Sequence, residues 1–135
     1  MQTSEKTVLS LKADIDNLQP VAKTLFIPLI ARYLESSRED NIISDPYSET
    51  VLKKIHGDLS ELNISWSSQL GVAIRTKIID REVMNLIRKY PDAIIINLGC
   101  GLDTRFQRMN NNKITWYDLD LPDVISLKKK IFQNM

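Results

Sequence analysis

The residues of this chain best suited to chemistry are Asn97-Leu98-Gly99-Cys100-Gly101-Leu102-Asp103-Thr104-Arg105, which follow the apolar run Ala93 to Ile96 and precede Tyr117-Asp118-Leu119-Asp120-Leu121-Pro122. A strand that runs into a turn with two glycines brings bare main chain up to a ligand, because no Cβ blocks the approach. A second strand that ends on a carboxylate adds an acceptor for sugar hydroxyls. Asp120 lies 19 residues after Gly101, close to the ~20-residue offset at which open α/β folds set an acid on a ribose diol. The order strand, glycine turn, helix, strand, acid therefore predicts a nucleotide-cofactor cradle made by Gly99, Cys100, Gly101 and Asp120. Asp118 sits two residues earlier on the same strand face, and one of the two aspartates has the alternative of capping a helix at Pro122. Two glycines by themselves are equally compatible with an ordinary tight turn.

What the turn lacks narrows the cofactor. Thr104 stands where a dinucleotide fingerprint has its third glycine, which counts against a nicotinamide or flavin pyrophosphate. Asp103, placed to cap the following helix, puts in the mouth a carboxylate that repels a diphosphate and tolerates a cation. S-Adenosylmethionine carries a sulfonium and an ammonium and no phosphate, so it suits such a mouth. Arg75 shares a helix face with Val72, Ile79, Val83 and Leu86 at three- and four-residue steps. A guanidinium on an apolar stripe must find a partner; from the residues alone, an ion pair with Asp103 or Asp118 is simpler than a ligand. Cys100 invites a nucleophile reading, yet the one histidine, His56, falls on a distant helix, and a thiol without a neighbouring base or cation fills a small slot. No catalytic base and no metal ligand set are visible.

The elements that must hold these residues follow from pattern. Pro20 to Ser36 carries Ala22, Phe26, Leu29 and Tyr33 on one stripe and predicts a helix, kinked at Pro28. Ser37 to Ser44 is a charged loop. Asp45-Pro46 supplies a cap and a first-position proline for a helix running through Leu52 and Ile55 to a stop near Gly57. After a polar connection, Trp66 to Lys89 predicts a long helix ended by Pro91. Ala93 to Leu98 is a short β-branched run of the kind buried on both faces of a parallel sheet, and Ile114 to Leu119 predicts its partner. Pro122 opens a last helix through Val124, Ile125, Ile131 and Phe132. Lys128-Lys129-Lys130 reads as its wet side, and Trp66 and Trp116 as packing residues. The fold class is α/β, with residues 1–90 as a helical cap and 91–135 as the first β-α-β-α portion of a Rossmann-like, doubly wound sheet. Two strands with one crossover cannot cover both sheet faces. The expectation is a truncated piece of a longer reading frame, or strands supplied by a second chain.

Composition limits the partners. With 135 residues, 43% of them hydrophobic, there is material for one ordinary domain with a core. Eighteen basic residues against seventeen acidic leave a net charge of +1, no footprint for nucleic acid or an anionic membrane. The single cysteine excludes an internal disulfide and points to a reducing cytoplasm. Residues 1–16 lack the apolar core of a secretory signal, and no stretch approaches the ~20 apolar residues of a membrane span.

The sequence resembles the class I S-adenosylmethionine-dependent methyltransferases of the leucine carboxyl methyltransferase and tetracenomycin-type O-methyltransferase group. The match is carried by Ala73-Ile74-Arg75-Thr76 with Ile79-Asp80, by Asn97 to Arg105, and by Tyr117 to Pro122; Ala31-Arg32 and Asp45-Pro46-Tyr47 form a weaker part. The resemblance runs from about Pro20 to the end. It implies methyl transfer from S-adenosylmethionine to an oxygen, often a carboxylate, of a small molecule or peptide. It also implies that Arg75 grips the methionyl carboxylate of the cofactor, a planar pairing that suits arginine. Lys23 is similar to a cofactor-contacting lysine in part of that group, with a solvated surface role as its alternative. Family members are longer than this chain, and their later strands build much of the acceptor pocket.

Overall fold

The computed structural model describes residues 13–14, 24–60 and 62–135. Strand β1 (Ala13–Asp14) is followed by helix α1 (Phe26–Ser36), which buries Phe26, Leu29, Ala31, Arg32 and Glu35. Thr24 and Leu25 form a turn ahead of α1, and the expected helical residues Pro20 to Lys23 lie outside the described residues. Pro28 falls in the first turn of α1, where its missing N–H has no intrahelical acceptor to lose; the expected mid-helix kink does not arise.

Helix α2 (Pro46–Lys53) starts as its sequence dictates, with the Asp45 carboxylate accepting from the Ser48 amide at 3.3 Å and Pro46 in the first turn. It ends earlier than expected. Ile55–His56 leaves the helix to form β2, paired in parallel with β1 in the register Ala13 to Ile55 and Asp14 to His56. The β-branched Ile55 and the left-handed Gly57 (φ 135°) favour an extended exit over another helical turn. Helix α3 (Trp66–Lys89) has the predicted limits, with Ser65 accepting from the Ser68 amide at its start and Arg88 and Lys89 in its last turn. α1 packs against both α2 and α3.

Strands β3 (Ile94–Leu98) and β4 (Thr115–Leu119) pair in parallel from Ile94 with Thr115 to Leu98 with Leu119. The short helix α4 (Arg105–Met109) lies in the crossover, and α5 (Pro122–Ile131) follows β4. One sheet face, with Ile95 and Trp116, packs on Val83 and Ile87 of α3 and on Phe106 and Met109. The other is open: Ile94, Ile96 and Leu98 are 68%, 59% and 75% exposed. The strand expected to be buried on both faces is thus covered on one, because among the described residues nothing lies over the second.

A second cluster joins α1, α2, the glycine turn and α5 through Phe26, Leu29, Val51, Leu102 and Ile131. Burial of such side chains contributes about 1.5–3 kcal/mol each, so the helical layer and the turn share a core. Lys128 corrects the expected wet face of α5. It lies on the inner stripe with Val124 and Ile131, is 7% exposed, and pairs through Nζ with Asp118 Oδ2 at 2.8 Å; only Lys129 and Lys130 are on the solvent side. Among the described residues no helix is long and apolar enough to cross a membrane.

Candidate cofactor site

β3 ends on Asn97-Leu98 and delivers the chain into a turn that only glycine accommodates easily, with φ of 62° at Gly99 and 46° at Gly101. The turn is tied to the end of β4. The amides of Gly99 and Cys100 donate to the Leu119 carbonyl at 2.8 and 3.2 Å, and the Asp103 amide closes the turn on the Cys100 carbonyl at 2.9 Å. A cavity of about 440 Å³ opens beside it, between the carboxyl end of β3 and the helical layer. Leu98, Gly99 and Gly101 form one wall, Arg75 and Ile79 of α3 another, and Pro28 of α1 closes a side. This is where open α/β sheets bind ligands. A Cβ at Gly99 would project into empty space, whereas one at Gly101 would touch the Leu25 side chain at 3.6 Å. Gly99 is therefore the place where bare backbone faces open space beside the cavity.

The acids sort themselves by partner. Asp103 Oδ2 accepts from Arg105 Nη1 at 2.6 Å and from Asn97 Nδ2 at 3.1 Å, and its Oδ1 accepts from the Arg105 amide at the start of α4. Asp118 accepts from Asn97 Nδ2 and Trp116 Nε1 and pairs with Lys128, away from the cavity. Asp120, one residue past β4, turns back to the glycines: Oδ2 accepts from the Gly101 amide and Oδ1 from the Leu121 amide, both at 2.8 Å. It stands beside the turn without lining the cavity, and each oxygen keeps a lone pair.

With Asp103 and Asp118 both engaged elsewhere, neither forms the internal pair considered for Arg75. Its side chain lines the cavity and makes no hydrogen bond or ion pair among the described residues. Cys100 is 4% exposed, and its thiol is pushed up to about 11 by burial, with Lys128 opposing and the carboxylates of Asp118, Asp120 and Asp103 adding to the rise. It is a neutral filler at physiological pH. Lys23 lies outside the described residues.

A buried polar cluster under the turn escaped the sequence reading of function. Asp45, 1% exposed, accepts at Oδ2 from Arg32 Nε at 2.9 Å and from Thr104 Oγ1 at 2.6 Å while capping α2. Arg32 Nη2 donates to the Leu102 carbonyl at 3.0 Å. Arg108 joins this cluster to Asp80 of α3: its Nε lies 3.6 Å from Asp45 Oδ1, and Asp80 pairs with it and holds Arg105 Nε at 2.7 Å. One signal was available: Arg32 falls three residues after the buried Leu29, an arginine on an apolar stripe, as Arg75 is.

The profile of the family described as leucine carboxyl methyltransferase matches residues 26–135. The chain belongs to the leucine carboxyl methyltransferase family. It is 31% identical over 116 residues to the tetracenomycin polyketide synthesis O-methyltransferase TcmP of Streptomyces glaucescens, covering 85% of this chain and 43% of that protein. It is 30% identical over 123 residues to the S-adenosyl-L-methionine-dependent methyltransferase dpfgK of Gibberella zeae, covering 83% and 41%. The chain thus spans less than half the length of these relatives. Within this leucine carboxyl methyltransferase family member, the matched region begins at the first residue of α1 and takes in both walls of the cavity.

Proposed function

We propose that the cavity beside Gly99 holds S-adenosylmethionine and that the protein serves methyl transfer to an oxygen of a small molecule or peptide. The observation that carries this reading is an arginine without a partner among the described residues, Arg75, facing bare main chain at Gly99 across one cavity. Arg75 takes the methionyl carboxylate in a planar, charge-assisted pair. Gly99, Cys100 and Gly101 offer main chain, and Asp120, beside the turn and outside the cavity lining, accepts from ribose hydroxyls that extend past Gly101, with the lone pairs its two amide bonds leave free. Asp118 acts at one remove, by orienting the Asn97 amide that it shares with Asp103. Lys23 is proposed as a further cofactor contact on the resemblance alone. The cofactor supplies an electrophilic methyl group; the protein supplies position.

The acid that lines the cavity, Asp103, is held by Arg105 at 2.6 Å and by Asn97 at 3.1 Å. A carboxylate acceptor, with a pKa near ~4, is ionised at neutral pH and needs no base, so it suits this site better than a hydroxyl. TcmP is named an O-methyltransferase, in keeping with an oxygen acceptor. We place residues 1–90 as a cap and 91–135 as the opening of the cofactor unit, and the protein in the reducing cytoplasm, on its lone buried thiol.

Titration calorimetry of the chain with S-adenosylhomocysteine tests the reading: binding that NAD does not displace is the expected result, and absence of heat together with absence of any thermal stabilisation defeats it. A second reading rests on the open face of β3. If covering strands from further polypeptide are needed to rigidify the turn, the chain is a non-catalytic binding element by itself, and affinity for S-adenosylhomocysteine emerges only when those strands are supplied.

A further inference from the structure

The geometry points to Arg32, held by Asp45, as the positioning residue that fixes the glycine turn and makes the shape of the cofactor cavity depend on the helical layer. Four observations converge. Arg32 is 5% exposed and divides its guanidinium between two different tasks: Nε on Asp45 and Nη2 on the Leu102 carbonyl. Leu102 lies immediately after Gly101 and directly before Asp103, so its carbonyl reports the orientation of the peptide plane that closes the turn. Asp45 grips the far side of the same segment through Thr104 Oγ1 at 2.6 Å and is itself anchored as the cap of α2. The five-residue helix α4 that follows is seated on α3 by Phe106, Met109 and the Asp80 pairs, and Arg108 Nε also lies 3.6 Å from Asp45 Oδ1, so Asp45 reaches both the turn and the helix after it.

A single ion pair would stabilise the helical layer without reaching the turn. Here both charged groups reach from α1 and the start of α2 into the segment 102–104, and Arg32 also lines the cavity. Bound this way, the Gly99 main chain is presented only when α1 and α2 are seated. A carbonyl that loses a charge-assisted donor in a buried setting is free to rotate, and the loss corresponds to about tenfold or more in a local opening equilibrium.

The discriminating variant is Arg32→Lys, which retains a cation for Asp45 but replaces the planar fork whose Nε and Nη2 reach Asp45 and Leu102 separately by a single nitrogen. Hydrogen exchange read residue by residue on the full chain gives the answer, because the amides of Gly99, Cys100, Gly101 and Asp103 are all hydrogen-bonded within the turn or to β4 and its end. Their exchange should accelerate about tenfold or more, with the β3 amide of Ile95, which faces β4, unchanged. Arg32→Met combined with Asp45→Asn provides a second test that leaves no lone buried charge and keeps a capping acceptor; it should show the same selective loosening. Turn amides that exchange at the wild-type rate in both variants overturn the proposal. Uniform acceleration across β3 and the turn in both also overturns it, since that is the mark of a structural pair. The affinity arm rests on the cofactor reading: S-adenosylhomocysteine should bind about tenfold more weakly to Arg32→Lys. If the wild-type chain gives no heat with that ligand, the cofactor reading fails while the exchange data still decide the role of Arg32.

Discussion

Arg75 is exposed and opens on the cavity, so water meets its charge and no partner among the described residues depends on it. Its removal should therefore leave folding untouched and cost only ligand affinity. Arg75→Ala is expected to weaken S-adenosylhomocysteine binding about tenfold to a hundredfold, from charge-assisted hydrogen bonds of about 1.5–3 kcal/mol, with an unchanged melting temperature; calorimetry and a thermal melt check both halves. Cys100 makes the opposite case, a residue inside the motif whose chemistry is suppressed. Burial raises its thiol from an ordinary 9.0 to about 11. The folded state therefore favours the protonated form, and this contribution to stability is complete below pH 9 and is lost as pH rises toward 11. At pH 8 the native thiolate fraction should be roughly a hundredfold below that of the unfolded chain, so iodoacetamide labelling of native protein should lag by at least that factor. The two glycines, Asp120 and Arg75 were legible as single positions because their types are unusual for their local pattern. Arg32, Asp45 and Thr104 were not legible as a unit, since the contacts that unite them span 13 and 59 residues of sequence and each residue has an ordinary local role.

Helices whose ends are written in capping chemistry came through intact at the element scale: Ser65 and Pro91 bracket α3, and Asp45-Pro46 starts α2. Readings failed where tertiary context overrides a local rule. Pro28 was expected to bend a helix and instead sits in its first turn; Ile55 left a helix for a two-residue strand pairing; Lys128, one of three consecutive lysines, is drawn inward by Asp118. The strands were located to within a residue, but their burial was not, since an apolar run does not reveal how many faces will find cover. The weight of the fold falls on the cluster that seats α5 against α1, α2 and the glycine turn. Ile131 is fully buried there beside Phe26, Leu29 and Leu102. Ile131→Ala should destabilise the chain by about 2–5 kcal/mol, read as a lower urea midpoint at unchanged slope. The same variant should loosen the turn, because Leu102 loses part of its packing.

Across the whole molecule, the helices cover one face of the β3–β4 sheet and leave the other bare. Ile94, Ile96, Leu98, Tyr117 and Leu119 form that face, all between 46% and 75% exposed. Both outer strand edges carry main-chain groups without sheet partners among the described residues. Contiguous apolar surface next to open edges is the pattern that drives association. The purified chain should therefore bind the hydrophobic dye ANS and associate with rising concentration in sedimentation velocity. Ile94→Lys combined with Ile96→Lys should lower both signals and leave the melting temperature unchanged, since each side chain keeps more than half its surface in water. Leu98 is left alone in this test because it lines the cavity. A fall in melting temperature in the double variant, with no change in association, would mean that in solution this face is already covered by the chain itself. In that case the glycine turn, which begins one residue after β3, is braced from both sides rather than from the helical layer alone.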